Sequence, residues 1–376
     1  MRHWLLTLAT FLILCSGSSV ALAQEVHQEL QETVRAEVLE IVKAYDRDIM
    51  GTGATTTVQE LRAKLLSGSK AGEVVRFEND LMVLAVGDKI FVNRLVSIEG
   101  EEYYIFKDIE RRPQLLILAV LLSVLVVVFA RWQGIRAILS LALSVVAILF
   151  LLVPALLAGY DPALASFAIA AVILALTLFL THGFGIYVRI AYFGTMAAVG
   201  VTCLVAWFSV TWLHLTGFSA DASVYLNFAT GGQLDLAGLL LGGIIIGLLG
   251  VLDDVSITQA SVVQELRRAN STLGVRSLYE RGVRVGRDHV GSLVNTLALA
   301  YVGTALPLVL LYTQSQAPFL DILNQEVVAA ELVRIIVGSI GLVLAVPFTT
   351  LVAAYYFSRH EIDNNLSTTH SHHHHH

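Results

Sequence analysis

Charge is scarce in this chain. Asp, Glu, Lys and Arg make up 14% of its 376 residues, against about 25% in a soluble globular domain. That shortage excludes an ordinary cytosolic enzyme, a disordered chain, a coiled coil and a nucleic-acid binder. Cysteine is nearly missing: there are two, Cys15 and Cys203. Cys15 falls in an N-terminal apolar run, with Leu14 where a lipidated cysteine needs a small residue. Cys203 sits in a later apolar run and reads as helix packing. No disulfide framework can be built from such a pair. No Walker loop, G-x-S-x-G, H-E-x-x-H or C-x-x-C is present. The chain therefore reads as no enzyme, with no cofactor. Histidine is less informative than its count of 12, because six lie between His370 and His376. That run reads as a purification tag, with a natural metal-binding tract as the alternative.

What is abundant is apolar residues, 56% of the chain, gathered in long runs after residue 113. Residues 1–23 read as a signal peptide: a basic start at Arg2 and His3, a short apolar stretch, and Ala21-Leu22-Ala23 as the cleavage site. Residues 24–112 are polar enough for a separate domain. Val34, Ala36 and Val38 alternate with Arg35 and Glu37, the period of a half-buried strand. Further strands are expected at 55–64, 73–77, 89–96 and 103–109, separated by glycine-bearing turns. This predicts a small β-barrel or sandwich outside the cytoplasm, without an aromatic stacking platform.

From Pro113 the spacing predicts a mainly α-helical polytopic membrane domain, 113–360, of seven spans. They lie near 114–130, 137–157, 163–181, 190–214, 236–252, 290–313 and 332–357. Arg131, Arg136, Arg189 and Arg359 lie in one set of connections. So do six arginines of the loop at about 255–288. The other set, at 160–161, 216–235 and 313–331, has no Lys or Arg. By the positive-inside rule the arginine-bearing loops and the C-terminus are cytoplasmic and the β-domain lies outside. The tail at 366–376 ends in the histidine run. The net charge of −6 is then mostly an acidic exterior set against a basic inner face.

The chemistry concentrates in spans five and six. Gly238, Gly242, Gly243 and Gly247 fall at four-residue intervals, which favours close helix packing in lipid. A break lining a cavity is the other use of such glycines. Asp253 and Asp254 follow near the inner end of span five. A carboxylate near hydrocarbon costs about 2.5–3.5 kcal/mol on insertion scales, so it tends to face a cavity or a cation; simple emergence into solvent is the plain alternative. Thr258 and Gln259 continue the polar side. In span six Arg281, Arg284, Asp288, Gly291 or Ser292, and Asn295 recur every three or four residues, making one polar stripe from the cytoplasm into the membrane. Arg287 and His289 flank it. Asn295 belongs within the hydrocarbon and needs a polar neighbour. An Arg–Asp clamp between helices competes with a polar cavity shared with Asp253 and Asp254. Asp253, Asp254, Asp288 and His289 could in principle ligate a metal, but their spacing alone leaves that open.

Two runs, GVLDDVSITQAS at 250–261 and RVGRDHVGSLVNTLALAY at 284–301, together resemble the YibE/F family of bacterial membrane proteins. The resemblance extends over the membrane region and the β-domain. It implies a multi-pass protein of the bacterial cytoplasmic membrane, of a kind described loosely as a transporter or efflux component. It adds weight to Asp253, Asp254, Arg287, Asp288, His289 and Asn295 as site residues.

Two functions are expected to compete. One is a secondary transporter or channel for an ion or small charged solute, its site between spans five and six. The other is an envelope scaffold or signalling protein whose domain at 24–112 binds a partner. The lipid bilayer is the common partner of both. A second copy of the chain is a candidate, and nucleic acid is not.

Overall fold

The structure, a computed structural model, describes residues 30–48, 53–97, 101–219, 221–314 and 317–360. The expected signal at 1–23 and the tail at 366–376 lie outside them. The chain divides into two units, one ending at Leu125 and one beginning at Val126.

The first unit is built on five antiparallel strands: β1 (Leu30–Asp48), β2 (Thr55–Leu65), β3 (Val74–Asn79), β4 (Lys89–Val96) and β5 (Glu102–Ile109). Their order in the sheet is β3-β2-β1-β4-β5. The alternation in β1 aims as expected, with Val34, Ala36 and Val38 buried against Leu61, Ala63, Ile90 and Val92. The ladder slips between Val38 and Glu40, between Ile41 and Lys43, and between Phe91 and Val92. Such bulges bend and twist a strand, and the sheet curls until its edge strands β3 and β5 approach each other. The result is half a barrel in one sheet, with no second sheet among the described residues as a sandwich would require. Gly68 makes one of the turns with φ +90°, and a β-carbon there would stand 2.4 Å from a Val34 methyl, so only glycine fits.

Charged groups hold the open end together. Arg94 bonds Glu102 at 2.7 Å and Glu32 at 3.2 Å, while Lys70 bonds Glu102 at 2.8 Å. Hydrogen bonding to Arg94, and then to Lys70, lowers the Glu102 carboxyl to about 2.

After the sheet the chain is helical. The first helix, α1 (Arg112–Ala147), is interrupted at Arg131, whose φ of 52° and ψ of −128° are not helical. The bend is tight enough that a β-carbon on Gly134 would lie 2.5 Å from the Val126 carbonyl. A π-helical turn (Ile148–Leu152) leads to α2 (Val153–Leu157). There follow α3 (Pro162–His182), α4 (Ile186–Trp212), α5 (Asp221–Ala229), α6 (Leu236–Ala269), α7 (Val275–Thr304), α8 (Leu306–Thr313), α9 (Phe319–Leu323) and α10 (Glu326–Arg359). Side chains cap two of them: Asp161 accepts from the Leu164 amide at 2.8 Å, and Asp235 from the Gly238 amide at 3.0 Å. These bonds satisfy amides that a helix start leaves free.

Five of these helical stretches are long and apolar enough to cross a membrane, counting Arg112–Leu157 as one. They become six when α7 and α8, bent by 63° at their junction, are taken together. The expected first and second spans are thus the two arms of a helix broken at Arg131. The expected sixth span is broken too, at Ala305, just ahead of Pro307.

At the centre are α6 and α10. The first packs on α3, α4, α7 and α10, and the second on α4, α6 and α7. Small residues set the spacing. A β-carbon on Gly194 would stand 2.7 Å from the Thr349 Cα, one on Gly341 2.6 Å from the Thr202 hydroxyl, and one on Gly242 2.2 Å from the Ser166 hydroxyl. In α6 the glycine signal therefore divides. Gly238 and Gly242 make close contacts, while Gly243 faces open space.

Candidate functional site

The helix α6 runs unbroken through the apolar stretch and nearly five further turns, 34 residues in all. Asp253 and Asp254 therefore leave the apolar stretch on a continuous helix, about 100° apart around its axis. Asp253 turns inward. Its Oδ1 is sealed from solvent and has no hydrogen-bond donor, and Thr177 of α3 lies within reach of its carboxylate. Asp254 is exposed and close enough to His182, the last residue of α3, for their charges to interact.

Two hollows meet along this side of α6. One, of about 230 Å3, is lined by Asp254, Thr258, Gln259, Gly286 and His289, with Val346 and Leu293 among its apolar walls. The other, of about 640 Å3, is lined by His182, Tyr187, Thr258, Ser261 and Glu265. Thr258 belongs to both. The cluster thus offers carboxylate, hydroxyl and imidazole groups, a set suited to a proton or a hard cation. Among the described residues no three His, Cys, Asp or Glu side chains gather closely enough to hold a metal ion.

Gln259 does something else. It is buried and its amide donates to the Gly282 carbonyl at 2.6 Å and the Thr350 hydroxyl at 2.7 Å. It ties α6, α7 and α10 together at one level, and the close approach at Gly282 and Gly286 makes this reach possible.

The remaining expected residues are not drawn into the cluster. Arg284, Arg287, Asp288, Ser292 and Asn295 are all exposed on α7. Among the described residues their side chains make no ion pair or hydrogen bond, so the Arg–Asp clamp is not formed within one chain. His289 is exposed as well but borders the smaller hollow. The connection between α6 and α7 is tied instead by Arg267, which donates to the Leu273 carbonyl at 2.8 Å and the Ser358 carbonyl at 3.3 Å.

Sequence reasoning did not single out His182 or Thr177. A titratable residue closing span three, on the same face of the membrane as the end of span five, was the signal available. Which spans are neighbours is a tertiary fact, and without it His182 looked like any span-end residue.

No curated protein and no solved structure shows significant similarity to the chain. Residues 118–359, which include α3, α4, α6, α7 and both candidate hollows, match the YibE/F-like protein family. With its long apolar helices and this match over more than half its length, the chain is an integral membrane protein that belongs to the YibE/F family.

Proposed function

We propose that the protein is a secondary transporter or channel for a cation or small charged solute, with Asp253 and Asp254 as its binding or coupling groups. The observation that carries this reading is the Asp253 Oδ1, an acceptor closed to solvent that receives no hydrogen bond, with the Thr177 hydroxyl as its neighbour. A proton or a cation supplies what that oxygen lacks. Asp254 beside the hollow, with Thr258, His289 and His182 around it, gives the approach from the cytoplasmic side. Arg284, Arg287, Asp288, Ser292 and Asn295 have no part in this site.

The reading includes seven spans in the bacterial cytoplasmic membrane, with the β-domain outside and the C-terminus inside. The break at Arg131 supports the count, since each arm of α1 is an apolar stretch of its own. The arginine-free connections at 160–161, 216–235 and 313–331 support the orientation.

Solid-supported-membrane recording on proteoliposomes tests the function, with jumps of protons, sodium, divalent metals and small anions. A current in the wild type that disappears in Asp253→Asn/Asp254→Asn is the expected result. Equal currents in both would end this reading. One observation favours the envelope scaffold instead: a hollow of about 520 Å3 between the edge strands β3 and β5, lined by Phe77, Glu102, Tyr103 and Tyr104. Capture of an envelope protein by the full chain, lost when Tyr103 and Tyr104 are replaced, would carry that alternative.

A further inference from the structure

The helix α7 has two unlike faces. Leu278, Gly282, Gly286 and Leu297 are buried against α6 and α10. The opposite face is exposed and polar, carrying Arg284, Asp288, Gly291 and Asn295 at helical spacing. Depth makes this face anomalous. Leu297 packs on Gly338 of α10, and Gly341, less than a turn further along α10, packs on Thr202 near the middle of α4. Asn295, half a turn from Leu297 and six residues beyond His289, therefore lies within the hydrocarbon zone. The outward face of α4 near that depth is Leu204, Trp207 and Phe208, as lipid requires. An amide bare to hydrocarbon has no such justification, because nothing there replaces its lost water.

The face has the means to answer itself. Asparagine is both donor and acceptor, so two of them can pair across a two-fold axis, and a buried asparagine fixes register in helix dimers. Arg284 precedes Asp288 by four residues. Between parallel helices, position i of one meets i+3 and i+4 of the other, so each Arg284 reaches the Asp288 of the opposite copy. Gly291 lies between these levels, its α-carbon facing open space, and admits a close helix crossing.

We propose that this face of α7, Arg284, Asp288, Gly291 and Asn295, is the contact between two copies of the chain, parallel and related by a two-fold axis along the membrane normal. All copies insert with one orientation, which is why the parallel pairing is the one to build. The interface is independent of transport, so its test reads association and not flux.

The full chain is reconstituted in lipid with Cys15 and Cys203 replaced by alanine, and single cysteines are introduced for oxidative cross-linking. Asn295→Cys and Gly291→Cys should give a dimer, and Leu204→Cys, at a similar depth on α4, should not. In the same membranes Arg284→Glu should weaken self-association roughly three- to tenfold. Adding Asp288→Arg to it should restore association, which a folding defect would not do. Equal cross-linking at positions 295 and 204, or a chain that is monomeric at all lipid dilutions while keeping its thermal transition, overturns the proposal. So does a double variant no better associated than Arg284→Glu alone.

Discussion

At the scale of single residues, the polar groups of this protein fall into those that are satisfied and those that are not. Gln259 is satisfied twice over, and its two bonds do a mechanical task, holding three helices at one level where each unpaired group would be costly. Asp253 is not satisfied, and Asn295 is not satisfied within one chain. In the β-domain Glu102 is paired with Arg94 and Lys70 and illustrates the pH dependence of such pairs. Its carboxyl is ordinarily near 4.5 and is lowered to about 2 in the fold, by Arg94 first and then Lys70. A depressed carboxylate stabilises the fold fully above its unfolded value, and that contribution is lost as the pH falls through the folded value. The urea midpoint of the β-domain, followed by amide protection of β4 and β5 in the full chain, should therefore fall between pH 4.5 and 2. In Glu102→Gln this window should be flatter. An unchanged slope would mean that Glu32 and Glu110, also depressed, carry the titration.

At the scale of elements, helix spacing is decided by a few glycines and not by all of them. At Gly194 a side chain would run into the Thr349 backbone, so α4 would have to move away from α10. Gly194→Leu should cost about 1–3 kcal/mol, as overpacking does, and lower the detergent-phase melting temperature. Gly243→Leu, facing open space in the same bundle, should leave it unchanged or slightly raised, because leucine is the better helix former. Equal losses at both positions would count against close packing at Gly194. This distinction was only half legible in the sequence. The four-residue spacing marked Gly238, Gly242, Gly243 and Gly247 alike, since spacing reports a helix face but not what stands opposite. Strands were easier: β2 and β4 fall where alternation and turn glycines put them, because a strand's period is written along the chain itself. The closure of the sheet was harder, because bulges depend on pairing between strands far apart in sequence.

At the scale of the whole molecule, the charge pattern of the loops makes a statement about sidedness that the helices alone do not. A cysteine replacing Tyr160 should react with an impermeant maleimide in intact cells, and one replacing Arg276 only after the membrane is opened. Reaction of both from the same side would defeat the seven-span orientation. The polar stripe on α7 was visible in the sequence, and so was the need of Asn295 for a partner. What the sequence could not say was that the stripe turns away from Asp253 and Asp254. That follows from which face of α7 carries Gly282 and Gly286, the residues small enough to lie against Gln259 and α10.

The length of α6 has a mechanical consequence. With about 1.5 Å of rise per residue, its 34 residues form a rod of about 51 Å with no break to absorb a bend. It crosses α3 closely at Gly242 on Ser166, toward its N-terminal end, and a tilt would pivot there. From there to Asp253 is eleven residues, a lever arm of about 16 Å. A tilt of about 10° about that point swings the carboxylates by about 3 Å and moves Leu236 the opposite way. Arg267, latched to the last turn of α10, drags that helix along. If the protein transports as proposed, a rod pivoted in this way would link widening on one side of the membrane to narrowing on the other, without any helix having to unwind.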